Sequence, residues 1–230
     1  MEQIVDSAHF IIALNLAAYI LSGVALKRLG IKFMNALLPA ILIVVGAVLL
    51  LDIEYERYAE HSQMITIFLS PSVVALGYLL HKQVDKIKAN LMPILISVSV
   101  GAIVNLLTIN LILKLFGTDI TIIYSIQPKS VTTAIALSLS TLSGGIPSLT
   151  VIAVVIAGVV GSVMGPTLLK LSGINNPISV GLAMGSSAHA VGTARAMELG
   201  ALQGAMSGLA IGVMGLITSL LITFCRDILL

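Results

Sequence analysis

The stretch GSSAHAVGTARAMELG (185–200) concentrates the side chains best able to do chemistry: hydroxyls at Ser186 and Ser187, then His189, Thr193, Arg195 and Glu198. It lies within an apolar segment, Ile178–Leu199, long enough to reach across a bilayer. An ionisable group at membrane depth costs about 2.5–3.5 kcal/mol even on the lenient insertion scale, and such groups usually face a protein interior, a pathway or a binding site. The structural alternative for His189 is a neutral imidazole bonded to a neighbouring carbonyl. Arg195 and Glu198, three apart, can pair along one helix face or snorkel to the headgroups. His189 and Glu198 are the candidates for proton coupling, because an unperturbed imidazole titrates near about 6.5.

Geometry limits what this stretch can do as a straight rod. At 100° per residue His189 and Thr193 share a face, whereas Arg195 is turned about 120° from His189. Gly185 and Gly192 are the places where the helix can open. Non-helical backbone at this depth is tolerated only inside protein or against a cavity. The N–H groups freed at such a break favour an anion.

A counterpart lies upstream. Gln127-Pro128-Lys129-Ser130, followed by Thr132-Thr133, interrupts the apolar run Ile120–Leu142. Proline removes a backbone donor and disfavours helix in the residue before it. Lys129 either pairs with a substrate carboxylate or snorkels at an interface. Ser70-Pro71-Ser72 is a similar interruption without a charge. It reads either as part of a site or as a kink or helix start.

The elements that must position these groups are membrane helices. The chain is 58% hydrophobic and 10% charged, with a mean hydropathy of +1.11, against about 25% charge in soluble domains. Eight apolar segments are expected, at about His9–Leu26, Phe33–Leu51, Met64–Leu80, Leu91–Leu113, Ile120–Leu142, Ile146–Leu169, Ile178–Leu199 and Leu202–Phe224. The second, fourth, sixth and eighth are clean spans. The third, fifth and seventh are interrupted and either span or re-enter. Glu2 and Asp6 precede the first apolar run, which reads as a retained span and not as a signal peptide. Lys27, Arg28 and Lys32 mark one basic loop and Lys82, Lys86 and Lys88 another, with an acidic loop between them. Short basic loops stay cytoplasmic, which predicts an outside N-terminus.

The expected architecture is therefore all-α, a polytopic bundle forming one domain over residues 1–230. SPSVVALGYLL (70–80), KSVTTAIALSL (129–139) and HAVGTARAMEL (189–199) resemble one another, which predicts repeat units at about 64–117, 120–173 and 178–226. Broken helices from such repeats commonly meet near the midplane in transporters. Gly161 and Gly165, and Gly204, Gly208 and Gly212, recur every fourth residue, a spacing that lets helices approach closely in lipid. Asn105 and Asn110 read as interhelical hydrogen-bonding groups. A net charge of +2 gives no nucleic-acid surface. No metal-ligand spacing, phosphate loop or catalytic triad is present, so neither an enzyme nor a cofactor is expected.

GSSAHAVGTARAMELG (185–200), PKSVTTAIALS (128–138) and LSPSVVALGYLLHKQ (69–83) resemble, in order and spacing, three signature stretches of the LrgB/CidB family of antiholin-like and holin-like membrane proteins. The resemblance covers essentially the whole chain. It implies two functions: transport of small carboxylates such as pyruvate, glycolate or glycerate, or control of murein hydrolase activity and autolysis beside a small LrgA/CidA-type partner. It also implies that Lys129, Ser130, Thr132, Thr133, His189, Gly192, Thr193 and Arg195 are the positions that matter, to which Ser187 is added as a nearby hydroxyl. Ala188, Ala134 and Leu79 depart from the family pattern and bear on substrate choice and site geometry. Together these readings predict a multi-pass protein of the cell membrane. It would bind a small carboxylate at breaks around Pro71, Pro128, Gly185 and Gly192, with a homodimer as its expected assembly.

Overall fold

The computed structural model describes residues 7–31 and 36–229, with the backbone alone for residues 69 and 225–229. Glu2, Asp6 and Lys32, which entered the charge pattern, lie outside the described residues. Among the described residues there is no strand, and eleven helices follow in order. They are α1 (Ala8–Arg28), α2 (Leu37–Leu50), α3 (Tyr55–Thr66), α4 (Leu69–Lys82), α5 (Val84–Ala89), α6 (Leu91–Leu115), α7 (Ile120–Ile126), α8 (Thr133–Ser143), α9 (Pro147–Leu171), α10 (Pro177–Leu199) and α11 (Ala201–Leu229). By length and composition α1, α6, α9 and α11 can each cross a membrane, and α3 with α4 makes a fifth crossing if the bent pair is one span.

The helix ends follow elementary capping. Ser7 accepts from the Phe10 amide at the start of α1, and Lys27 and Arg28 sit in its last turn, complementing the dipole. At α10, Asn176 accepts from the Ile178 and Ser179 amides, and Pro177 takes the first helical position, where no donor is needed. The chain divides into two compact units, Met1–Gly77 and Tyr78–Leu230.

In the first unit α1 packs on α2 and α3, and buries Ile11, Ala18, Ser22 and Leu26 along one face. Tyr58 donates its hydroxyl to Asn15 Oδ1 at 2.9 Å, tying α3 to α1. Helix α2 covers only 14 residues, short of a bilayer's thickness. In the third expected segment the chain turns at Ile67–Phe68 and not at Pro71. Pro71 lies in the first turn of α4, where its missing N–H breaks nothing.

The second unit holds the two interrupted segments. Helix α6 buries Ile94, Val98, Ala102, Leu106 and Asn110, and α9 buries Thr150, Val154, Gly158 and Ser162. Each set repeats every fourth residue, giving one contact row inclined to the helix axis. Val98, Ala102, Val131, Ala136, Val154, Ala210 and Met214 form the core between them. Glycines set the closest contacts. A Cβ on Gly161 would lie 2.5 Å from the Ala188 Cβ, and one on Gly165 would lie 2.7 Å from Met184 Sδ, so α9 meets α10 almost backbone to backbone. Gly204 plays the same part against Met197, whereas Gly212 has no atom within 4 Å and packs nothing.

Candidate functional site

The fifth expected segment is two short helices. Helix α7 begins under Asp119, whose carboxylate accepts from the Thr121 amide at 2.8 Å. That bonding with Thr121 holds the exposed Asp119 carboxyl below its ordinary pKa. The helix ends at Ile126, and residues 127–131 turn through the protein until Thr132, extended at φ −63° and ψ 149°, leads into α8. Pro128 falls in this turn, as expected. Inside an apolar bundle the turn needs partners, and α6 supplies them. Gln127 donates to Asn110 Oδ1 at 2.8 Å, and the Lys129 ammonium donates to Asn105 Oδ1 at 2.8 Å. Ser130 lies 3.3 Å from both Lys129 Nζ and Asn105 Oδ1.

Lys129, Ser130 and Asn105 line a cavity of about 410 Å³. Ser186 and Ser187 of α10 line it as well, and Leu168, Leu169, Met184 and Met214 make it apolar elsewhere. Both serines donate to carbonyls of the preceding turn, Ser186 to Leu182 at 2.7 Å and Ser187 to Ala183 at 2.6 Å. Towards the cavity they can therefore only accept. A smaller cavity of about 270 Å³ shares Ala183 and Ser186 and continues along the same two helices to Ser97 and Ser179.

The seventh segment is broken too, at a different place from the one its glycines suggest. Helical geometry fails at Ala188 (φ −129°, ψ 18°) and His189 (φ 41°, ψ −134°), not at Gly185 or Gly192. Those two glycines are close-packing positions. A Cβ on Gly185 would strike the Ser207 carbonyl, and one on Gly192 would strike the Met184 carbonyl across the bend. A left-handed φ at a residue with a side chain is strained and persists only when its surroundings hold it. Here the buried imidazole does so: Nε2 lies 3.0 Å from the Val154 carbonyl of α9, and Gly158 leaves room for the ring. Because a carbonyl only accepts, Nε2 carries the proton.

The other residues singled out in this segment also find protein partners. Thr193 bonds Ser207 of α11 at 2.7 Å, both buried, and Arg195 pairs with Glu198 along the helix face. Thus Lys129, Ser130 and Ser187 share the cavity, while Thr132, Thr133, His189, Gly192, Thr193 and Arg195 are not among its lining residues. Thr132 and Thr133 start α8 beside it in sequence. Asn105, which reads from the sequence as an interhelical hydrogen-bonding group and not as a site residue, does bond outside its own helix and also lines the cavity. The signal was present, since an amide in an otherwise apolar span needs a partner, but nothing local showed that its partner would be Lys129.

The model of the LrgB-like family matches residues 15–228. The chain belongs to the LrgB-like family. It is 37% identical over 203 residues, 88% of each chain, to Uncharacterized protein YxaC of Bacillus subtilis (strain 168). It is 33% identical over 215 residues to Antiholin-like protein LrgB of Bacillus mycoides (strain KBAB4), covering 93% of this chain and 94% of the relative. The same figures hold for Antiholin-like protein LrgB of Bacillus cereus (strain B4264). No solved structure matches. With its several long apolar helices, this LrgB-family chain is a multi-pass membrane protein. Both interrupted segments, and the cavity between α6, α9 and α10, lie within the family match.

Proposed function

We propose that this LrgB-family protein moves small carboxylates across the membrane, binding them at the break between α7 and α8. One observation carries the reading: the Lys129 ammonium, bonded among the described residues only to neutral oxygens, lines a cavity large enough for a short organic anion. A cation kept at membrane depth ordinarily marks a pathway. The second cavity beyond Ser186 supports a route along α6 and α10 and not a closed pocket. The α8 N-terminus, which has no side-chain cap, supports negative charge beside Lys129. The apolar wall fits a short carbon chain. His189 and Glu198 stay as the proposed proton-coupling groups, and a homodimer as the proposed assembly.

The test is uptake of labelled lactate, pyruvate and glycolate into proteoliposomes under an imposed proton gradient. Wild-type protein should accumulate at least one of them. Lys129→Gln should reduce uptake more than about tenfold, because an anion would be left in the cavity without its cation. Folded wild-type protein that takes up none of the three would overturn the reading.

The names of the relatives favour a second reading, and they favour it more directly than they do transport. Two of them are Antiholin-like protein LrgB, which supports control of murein hydrolase activity and autolysis, exerted with a small LrgA/CidA-type membrane partner. The readings separate if Lys129→Gln abolishes uptake yet restores normal autolysis to cells lacking the protein.

A further inference from the structure

We infer that Asn105 is a positioning residue that anchors Lys129 without neutralising it, so that the full charge is available to an anionic substrate. The inference rests on the transport reading and concerns why the residue at position 105 is an amide.

The orientation of the amide is fixed by chemistry. Reversing it would bring two donors, Nδ2 and the Lys129 ammonium, to the 2.8 Å separation now held by Oδ1 and Nζ. With Oδ1 towards Lys129 and Ser130, Nδ2 is buried and has no hydrogen-bond partner among the described residues. Leaving a buried donor unpaired is unfavourable. For holding a lysine alone, aspartate would be the better residue: it accepts in the same geometry, forms a charge-assisted bond and leaves no orphaned N–H. It would also cancel the cation. Among the described residues no carboxylate pairs with Lys129; Glu54 pairs with Arg57 and Glu198 with Arg195. An amide that tolerates an unpaired donor where a carboxylate would satisfy every atom keeps one net positive charge in the cavity. Ser130 adds a second neutral oxygen to the same anchor.

The experiment compares Asn105→Asp and Asn105→Ser with wild type and Lys129→Gln, by lactate uptake in proteoliposomes and by thermal unfolding of the purified proteins. Asn105→Asp should unfold no earlier than wild type yet lose uptake by about tenfold or more, matching Lys129→Gln, because the ion pair leaves the substrate no free charge. Asn105→Ser puts a shorter neutral acceptor at the position and should lose less uptake than Asn105→Asp, with the loss in KM and not in the maximal rate. A merely structural role predicts the reverse order, with the aspartate variant active. Wild-type uptake by Asn105→Asp overturns the inference while leaving the transport reading intact. If Asn105→Asp does not fold, Asn105→Ser decides: uptake as low as in Lys129→Gln overturns the inference. Absence of lactate, pyruvate and glycolate uptake by wild-type protein overturns both.

Discussion

The two broken segments of the second unit resemble each other in composition and differ in what the break does. Between α7 and α8 the chain unwinds around a lysine whose partners are two neutral side chains, and the charge lines a cavity. Within α10 the chain bends at a histidine whose ring is buried and bonded to a backbone carbonyl. The first break leaves its ionisable group available. The second engages the Nε2 of its imidazole in holding its own geometry. An intramembrane ionisable residue is thus a pointer to function only after its partners are counted.

The comparison can be broken by substitutions that act on one side of it. The largest structural effect is expected at Gly158, where a Cβ would lie 2.7 Å from His189 Cε1. Gly158→Val should destabilise the protein by about 1–3 kcal/mol or more through overpacking, whereas Gly212→Val, which meets no atom within 4 Å, should be nearly neutral. Thermal unfolding of the two purified variants measures this, and equal melting temperatures would show that the His189 packing is not tight.

A middle-sized effect is expected at His189 itself. His189→Ala removes the ring and leaves the Val154 carbonyl without that donor, at roughly 1–3 kcal/mol, whereas His189→Gln keeps an N–H donor and should lose less. Because the ring does not line the cavity, the KM for lactate should stay within about threefold in His189→Gln. A rise as large as that in Lys129→Gln would place both breaks at one site. The smallest effect belongs to Glu198, about half exposed in its pair with Arg195. Glu198→Gln should change stability by less than about 1 kcal/mol. A loss of pH-dependent uptake in that variant, with stability intact, would give Glu198 a role beyond the pair.

Much of the fold was legible because lipid imposes length and polarity rules that survive in the sequence. The four long helices match the first, fourth, sixth and eighth expected segments. The break at Pro128 was also legible, since proline cannot supply the missing donor. The bend in α10 was placed at Gly185 or Gly192 because glycine is the usual residue for unusual backbone. It fell instead on Ala188 and His189, because a side-chain bond from His189 to α9 stabilises a conformation that glycine would adopt freely. Arg195 read either as a site cation or as half of a local pair, and the pair is what forms. Asn105 was legible as an interhelical hydrogen-bonding group, but its partner was not, being 24 residues away. The residue types were visible throughout, but which polar groups satisfy one another depends on contacts that sequence spacing does not encode.

The glycines of α9 have one more effect. Helices normally lock in register because side-chain ridges on one sit in grooves of the other. Along Gly158, Gly161 and Gly165 the surface of α9 offers notches instead, seating in turn the His189 ring, the Ala188 Cβ and the Met184 sulfur of α10. The imidazole is the one of the three that is also tied by a hydrogen bond, to the Val154 oxygen, so it latches a row of seated side chains.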